Sequence, residues 1–443
     1  MKDYLTIVGA GLAGSEAAWQ AAERGIHVVL HEMRPERPTP VHKTRNCAEL
    51  VCSNSLGSNL PFSAPYLLKE ELRRFDSLII SSADKHSVPA GGALAVDREK
   101  FSQHISEKIR NHPNITFKCE EVRDIPEDGP VIIATGPLTS PALSEKISSL
   151  TGQEYLYFYD ALSPIVDASS IDYSRAFFAS RYNKGEGDYL NCHMNKEEYD
   201  RFIRELKAAE KVPFKAFEKP LYFEGCMPIE ELAMRGDQTL AFGPMKPVGL
   251  PHPETHAISH AVVQLRRENR EGTAFNLVGF QTKLTYPEQK RIFRMIPGLE
   301  NAEFFRFGGI HRNTFINAPT LLNQELEVRK RPGIYFAGQI IGVEGYVEST
   351  AMGLLSALSV VKRMRGESYS PPPMETALGS LLSYVTDRRN ANYQPMNINF
   401  GLFLVKEMKI RDKKQRNQKI ARNALDSLAA WMDRQKVSID PAA

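Results

Sequence analysis

The chain has 443 residues, 42% hydrophobic and 25% charged, with a formal net charge of +3. Such a composition suits a globular protein with room for two or three domains and excludes a mainly disordered or fibrous chain. The charge is too small to single out nucleic acid as a partner, no apolar run reaches the roughly eighteen residues of a membrane span, and no signal peptide precedes the first strand, so a cytoplasmic protein without membrane contact is expected.

Residues 4–8 (YLTIV) predict a short buried strand, 9–14 (GAGLAG) a glycine turn, 15–24 a helix, and 27–31 a second strand ending at Glu32. That order and spacing is the dinucleotide-binding fingerprint. Gly9 permits the tight turn, Gly11 lets a pyrophosphate approach the backbone, and Gly14 lets helix and strand pack closely. The amides around Ala10, Leu12 and Ala13, at the helix N-terminus, then face the phosphates. Glu32 would accept hydrogen bonds from the adenosine ribose.

Beyond the second strand, residues 48–59 (AELVCSNSLGSN) put Cys52 in a polar loop beside Ser53, Asn54, Ser55 and Gly57, and loops on a rigid scaffold carry function more often than cores do. Cys47 and Cys52 also have the spacing of the redox pair in flavin disulfide reductases. The G-G-T-C lead-in, the second nucleotide fold and the His-Pro-rich motif of those enzymes are missing, which leaves thiol-disulfide chemistry as a rival reading. The five cysteines are an odd number scattered through a long chain, a pattern that argues for free thiols rather than a disulfide framework.

Residues 128–137 (DGPVIIATGP) predict a buried strand ending in a turn at Gly136. The interval 151–308 holds strand-like runs at 155–159, 240–242 and 276–280, helical runs at 196–210 and 256–268, and no second G-x-G-x-x-G. It reads as an inserted α+β domain that serves a substrate. Within it Cys226 lies in YFEGCMPIEELA (222–233), where a glycine, a proline and a helix start favour a reactive thiolate. A thiolate is a natural nucleophile for C6 of a pyrimidine. Cys119 and Cys192, on apolar or strand-like backgrounds, are expected to pack.

Residues 332–339 (PGIYFAGQ) predict a closing strand that delivers Gly338 and Gln339, followed by a helix over 345–357 that begins at Gly345 and Tyr346. A nucleotide fold that closes about three hundred residues after it opens has the layout of a glutathione-reductase-like Rossmann FAD-binding domain, since NAD domains usually close within typical domain size. The expected division is 1–150 and 309–370 for the FAD-binding domain, 151–308 for the insertion, and, after the linker SPPPM, 371–443 for a C-terminal helical segment. That segment is basic, with Lys406, Lys409, Arg411, Lys413 and Lys414. It is either an electrostatic footprint or a solvated helix face. No metal site is expected.

Seven blocks run from end to end of the chain: AELVCSNS (48–55), VPAGGALAVDR (88–98), VIIATGPLTS (131–140), EGCMPIE (224–230), FGPMKPVGL (242–250), HRNTFINAP (311–319) and QPMNINFGL (394–402). Together they resemble the folate- and FAD-dependent tRNA uracil-5-methyltransferase family, TrmFO. A more distant likeness, carried by IPGLENAE (296–303), is to the flavoprotein that helps build carboxymethylaminomethyl groups on wobble uridines. The resemblance implies that FAD is reduced by NAD(P)H, that methylenetetrahydrofolate supplies the one-carbon unit, and that C5 of uridine 54 in the tRNA T loop receives it. It implies Cys226 as the C6 nucleophile and Cys52 as proton acceptor or supporting thiol, the two roles being interchangeable in principle. Tyr346 would contact the flavin ring, Tyr286 would stack on a pterin, and Arg266, Arg267, Arg270 and the basic C-terminal residues would touch RNA phosphates. No stable protein partner or oligomeric state is implied. The chain departs from the family in QTKLTY (281–286), where Lys283 and Tyr286 replace a histidine and a tryptophan, at His193 in place of a proline, and at Cys47 in an aromatic position. A sister branch that methylates ribosomal RNA is the runner-up, and an RNA-binding flavoprotein without turnover is opposed by the retained pair Cys52 and Cys226.

Overall fold

The computed structural model describes residues 3–39, 41–152, 156–183, 187–213, 227–252, 258–390, 393–404 and 410–437. Its central sheet has five parallel strands in the order Ile334–Phe336, Val131–Ile133, Tyr4–Val8, His27–Glu32 and Ile115–Cys119. Short apolar runs such as VII and IYF are wholly buried there, as a parallel sheet covered on both faces requires. The strand expected to close the fold does so, at the sheet edge beside Val131–Ile133.

Two helices meet behind this sheet, Leu12–Ala22 and the late helix Tyr346–Met364, which runs seven residues beyond its predicted end at 357. A side chain at Gly353 would come within 2.2 Å of the Ala13 carbonyl oxygen, so glycine is what lets the helices cross this closely.

A second sheet of six antiparallel strands is built from Ile165–Asp167, Ala176–Ala179, Tyr189–Met194, Ala261–Arg267, Ala274–Leu277 and Phe304–Arg306. It has its own core of residues between 166 and 302, while the other large core joins residues 5–147 to 315–437. The chain passes between the two along Leu156–Leu162 and returns along Gly309–Phe315, and these segments pair antiparallel with each other.

The sequence misassigns two segments here. The helical run expected at 256–268 is a strand over Ala261–Arg267, because Val262, Val263 and Leu265 pair into the sheet against Tyr189–Met194; residues 253–257 lie outside the described residues. The strand expected at 240–242 is one helical turn, Thr239–Phe242, ended by Gly243. Cys192 is buried as expected, whereas Cys119 stands exposed on the edge strand.

The C-terminal helices Ala377–Thr386 and Lys413–Gln435 pack on the first core. Trp431 is buried edge-on to Phe75, and its Nε1 donates to the Ser370 carbonyl at 2.9 Å. Glu71 accepts the amide hydrogens of Ala377 and Leu378 at 2.7 and 2.8 Å, so a carboxyl group from another helix caps Ala377–Thr386. Burial pushes that carboxyl up to about 8. No helix among the described residues is long and apolar enough to cross a membrane.

Candidate active site

A cleft opens at the carboxyl ends of the parallel strands, where open α/β sheets bind ligands. Its lining includes Gly9, Gly11, Glu32, Gly136, Gly338 and Tyr346, gathered from segments over three hundred residues apart. Leu12, Ala13 and Gln339 line it as well. Ala10 turns its amide to Glu32 Oε2 at 3.0 Å.

The three glycines of the turn do different work. A side chain at Gly9 would meet the Ala134 carbonyl oxygen at 2.6 Å, and one at Gly14 would meet the Gly9 carbonyl oxygen at 1.8 Å. At Gly11 it would meet no protein atom within 4 Å. Protein therefore closes around Gly9 and Gly14, and Gly11 borders open space where a ligand's phosphates can reach the helix N-terminus. Burial alone would raise the Glu32 carboxyl. Hydrogen bonds from Arg34, through Nε at 2.8 Å and its amide at 3.1 Å, and from Ala10 outweigh it and hold the group below its usual range. An anionic acid at the end of the second strand suits a ribose diol. This set of residues fits FAD.

Gly345 caps the late helix at φ +116°, where a side chain would strike the Glu348 carboxylate at 2.1 Å. The next residue, Tyr346, faces the cleft, and its Oη accepts the amide hydrogens of Cys52 at 2.8 Å and Ser53 at 3.2 Å. Burial raises the phenol above its ordinary value, so it keeps its proton. Val51 lines the cleft, and Cys52 follows it, only partly buried.

Cys47 is fully buried, with its amide bonded to Ser106 Oγ at 2.8 Å. Burial, with Glu32 nearby, pushes its thiol up to about 11. Such a thiol is a poor nucleophile, which weighs against a Cys47–Cys52 redox pair. Cys226, Lys406 and Lys409 lie outside the described residues.

The structure gives Arg266 a task other than the expected phosphate contact. It is 6% exposed, and its guanidinium bonds Asn54 Oδ1 at 2.8 Å and Ser53 Oγ at 2.7 Å, so it clamps the Cys52 loop and has little surface left for RNA. Arg267 lies over the Phe178 ring at 4.9 Å. Arg270 is exposed and donates to the carbonyls of Lys85 and Ser87. Arg411, Lys413 and Lys414 are exposed where the last helix begins, with Lys414 5.1 Å from the centre of the Phe62 ring.

Tyr286 is 61% exposed and starts the helix Tyr286–Phe293. Its ring stacks on Phe307 at 4.9 Å, which stacks on Phe304 at 5.0 Å. Lys283 is buried, with Nζ 2.9 Å from Glu231 Oε1. Two contributors to the Cys52 loop escape a sequence reading. Arg98 is legible only as the last letter of the block at 88–98, and Arg306 belongs to no motif.

Sheet order and cleft together define an α/β protein with an FAD-binding domain of the glutathione-reductase class. The glucose inhibited division protein A family matches residues 4–368. A protein of Heliobacterium modesticaldum named methylenetetrahydrofolate--tRNA-(uracil-5-)-methyltransferase TrmFO is 59% identical over 428 residues, covering 97% of this chain and 98% of its own. Its namesake from Geobacter sulfurreducens is 56% identical, covering 98% of this chain and 99% of its own. The solved structure of Aquifex aeolicus GidA in its form II crystal superposes with a TM-score of 0.70 at 17% identity, over 98% of this chain and 74% of that one, which shows a shared fold. The chain belongs to the TrmFO family.

Proposed function

We propose that this chain is a methylenetetrahydrofolate-dependent tRNA uracil-5-methyltransferase that acts on uridine 54 of the T loop, with FAD in the cleft and NAD(P)H as the reductant. The names of its relatives support the reaction class. The observation that carries the reading in this chain is the bond from the Cys52 amide to Tyr346, a residue of the cleft wall. It joins a thiol-bearing loop to the end of a cleft fitted for a flavin. FAD bound there supplies the two-electron chemistry that a methylene unit needs to end as a methyl group.

The chain's own residues supply the rest. Glu32 orients the ribose, and the turn at Gly11 admits the phosphates. Cys226 adds through sulfur to C6 of the uracil, which makes C5 nucleophilic toward the one-carbon unit. As Cys52 takes the proton that C5 then releases, the methylene parts from its carrier, and a hydride equivalent drawn from NAD(P)H adds to that methylene to leave a methyl group while the Cys226 sulfur departs as thiolate and restores the C5–C6 double bond. Tyr286 offers an exposed ring face to a pterin, and Arg411, Lys413 and Lys414 offer charge to RNA phosphates. A target base in a folded loop must be extruded first, at a cost of roughly a few kcal/mol. A cytoplasmic location follows from that substrate.

The test is a mass-spectrometric count of 5-methyluridine after incubation with NADPH, methylenetetrahydrofolate and either unmodified tRNA or unmodified large-subunit ribosomal RNA. Methyl in tRNA at position 54, absent with a Cys226→Ala variant, is the expected result. Methyl only in ribosomal RNA would move the target to the sister branch. Methyl in neither would overturn the reading.

A further inference from the structure

Residues 50–54 form neither helix nor strand, yet side chains from distant elements satisfy their backbone. Arg98, the first residue of the helix Arg98–Arg110, donates to the Leu50 carbonyl and bonds Glu268 Oε2 through Nε at 3.0 Å. Arg306, the last residue of the strand Phe304–Arg306, donates to the carbonyls of Val51 and Cys52, both at 3.0 Å. One planar fork thus spans two consecutive carbonyls. On the other side, the Cys52 amide is held by Tyr346.

Both peptide groups that flank the Cys52 α-carbon are therefore fixed, each through its carbonyl by the antiparallel sheet and through its amide hydrogen by the late helix. Because peptide units are planar, this sets the backbone dihedrals of Cys52 and the direction in which its side chain leaves. The charge balance is unusual as well. Arg98 pairs with Glu268 at 2.9 Å, whereas Arg306 bonds only carbonyl oxygens among the described residues, and all three side chains are at least partly buried. Burying two cations against one anion is costly, and neutral donors would satisfy the same carbonyls. The Arg306 guanidinium, 3.0 Å from the Cys52 carbonyl oxygen, sets a positive charge beside the residue that carries the thiol.

We propose that Arg306, assisted by Arg98, is a positioning residue for Cys52: it aims the thiol beside the cleft, keeps positive charge next to it, and ties both to docking of the antiparallel sheet. The inference rests on the role given to Cys52 above.

Arg306→Lys, Arg306→Met and Arg98→Lys variants of the full chain test it, with FAD content, kcat and KM for tRNA, and the rate at which iodoacetamide modifies Cys52 relative to the exposed Cys119. Lysine keeps the charge and loses the fork. We expect Arg306→Lys to lower kcat at least about tenfold, since small misplacements carry large rate penalties, with FAD content and KM changed by less than about twofold. Arg306→Met should in addition change the relative modification of Cys52, because with the fork gone the loop no longer holds the thiol in one direction. Wild-type kcat and modification in both Arg306 variants would overturn the proposal. So would a loss of kcat that only follows loss of FAD with an unchanged modification ratio. If both Arg306 variants fail to fold, Arg98→Lys decides by the same readouts. A Cys52→Ala variant with wild-type turnover would instead refute the role of Cys52, and the modification ratio would still decide whether Arg306 positions the thiol.

Discussion

Alanine at position 11 would add one methyl group to the turn between the first strand and the first helix. Gly11 sits at φ −70°, ψ −168°, a conformation open to any residue, and the new carbon would meet no protein atom within 4 Å. Folding of the apoprotein should be unaffected or gain about 0.4–1 kcal/mol through the unfolded chain. The methyl group instead enters the cleft that Gly11 lines, where a pyrophosphate must approach the helix N-terminus. That electrostatic contact is worth up to ~2 kcal/mol in a partly buried setting, so its loss raises the Kd for FAD about thirtyfold. Gly14→Ala is the contrast. Its added carbon would lie 1.8 Å from the Gly9 carbonyl oxygen, and overpacking of this kind costs about 1–3 kcal/mol or more. The assays are FAD per chain by absorbance after dialysis and urea unfolding of the apoproteins. Gly11→Ala purified with a full complement of FAD, or an apoprotein as destabilised as Gly14→Ala, would refute the reasoning.

Cys47→Ser should methylate tRNA at the wild-type rate while Cys52→Ala does not; a Cys47→Ser enzyme that keeps its FAD and loses turnover would restore the redox-pair reading. Replacing Lys413 and Lys414 with alanine should weaken tRNA binding and flatten the slope of log K against log salt by about two; an unchanged slope would show that these lysines only solvate their helix. Lys69 is buried with its Nζ on the carbonyls of Leu56 and Ser58, and burial lowers its pKa to about 8. A lysine pKa depressed on folding means that the unfolded chain binds more protons between about pH 8 and 10.5, so wild type should gain stability relative to Lys69→Met as pH rises through that window. A constant difference in urea midpoint would contradict this.

The Rossmann half of the molecule is legible in the sequence because its determinants are local. A glycine turn, an acid after the second strand and two glycine-ended strands each carry their own signal, and the sheet brings Gly9, Glu32, Gly136 and Gly338 to one cleft. The errors fall where tertiary context overrides local pattern. Residues 261–267 read as helical until Tyr189–Met194 supplies a partner strand. Arg266 reads as a phosphate ligand because a sequence shows charge and not direction; alternation along a strand turns it inward to Asn54. Arg98 and Arg306 stand far from Cys52 along the chain, so only the folded structure shows what they hold.

The paired strands Leu156–Leu162 and Gly309–Phe315 are the two covalent crossings between the cores, hydrogen-bonded side by side. Because they pair along their length, the two crossings form one ribbon and not two independent tethers. Phe304–Arg306 belongs to the antiparallel sheet on the far side of that ribbon, so the bonds from the Arg306 fork to the carbonyls of Val51 and Cys52 cross between the two cores. The sheet is thus joined to the loop that carries Cys52 twice, once through the covalent ribbon and once through side-chain hydrogen bonds.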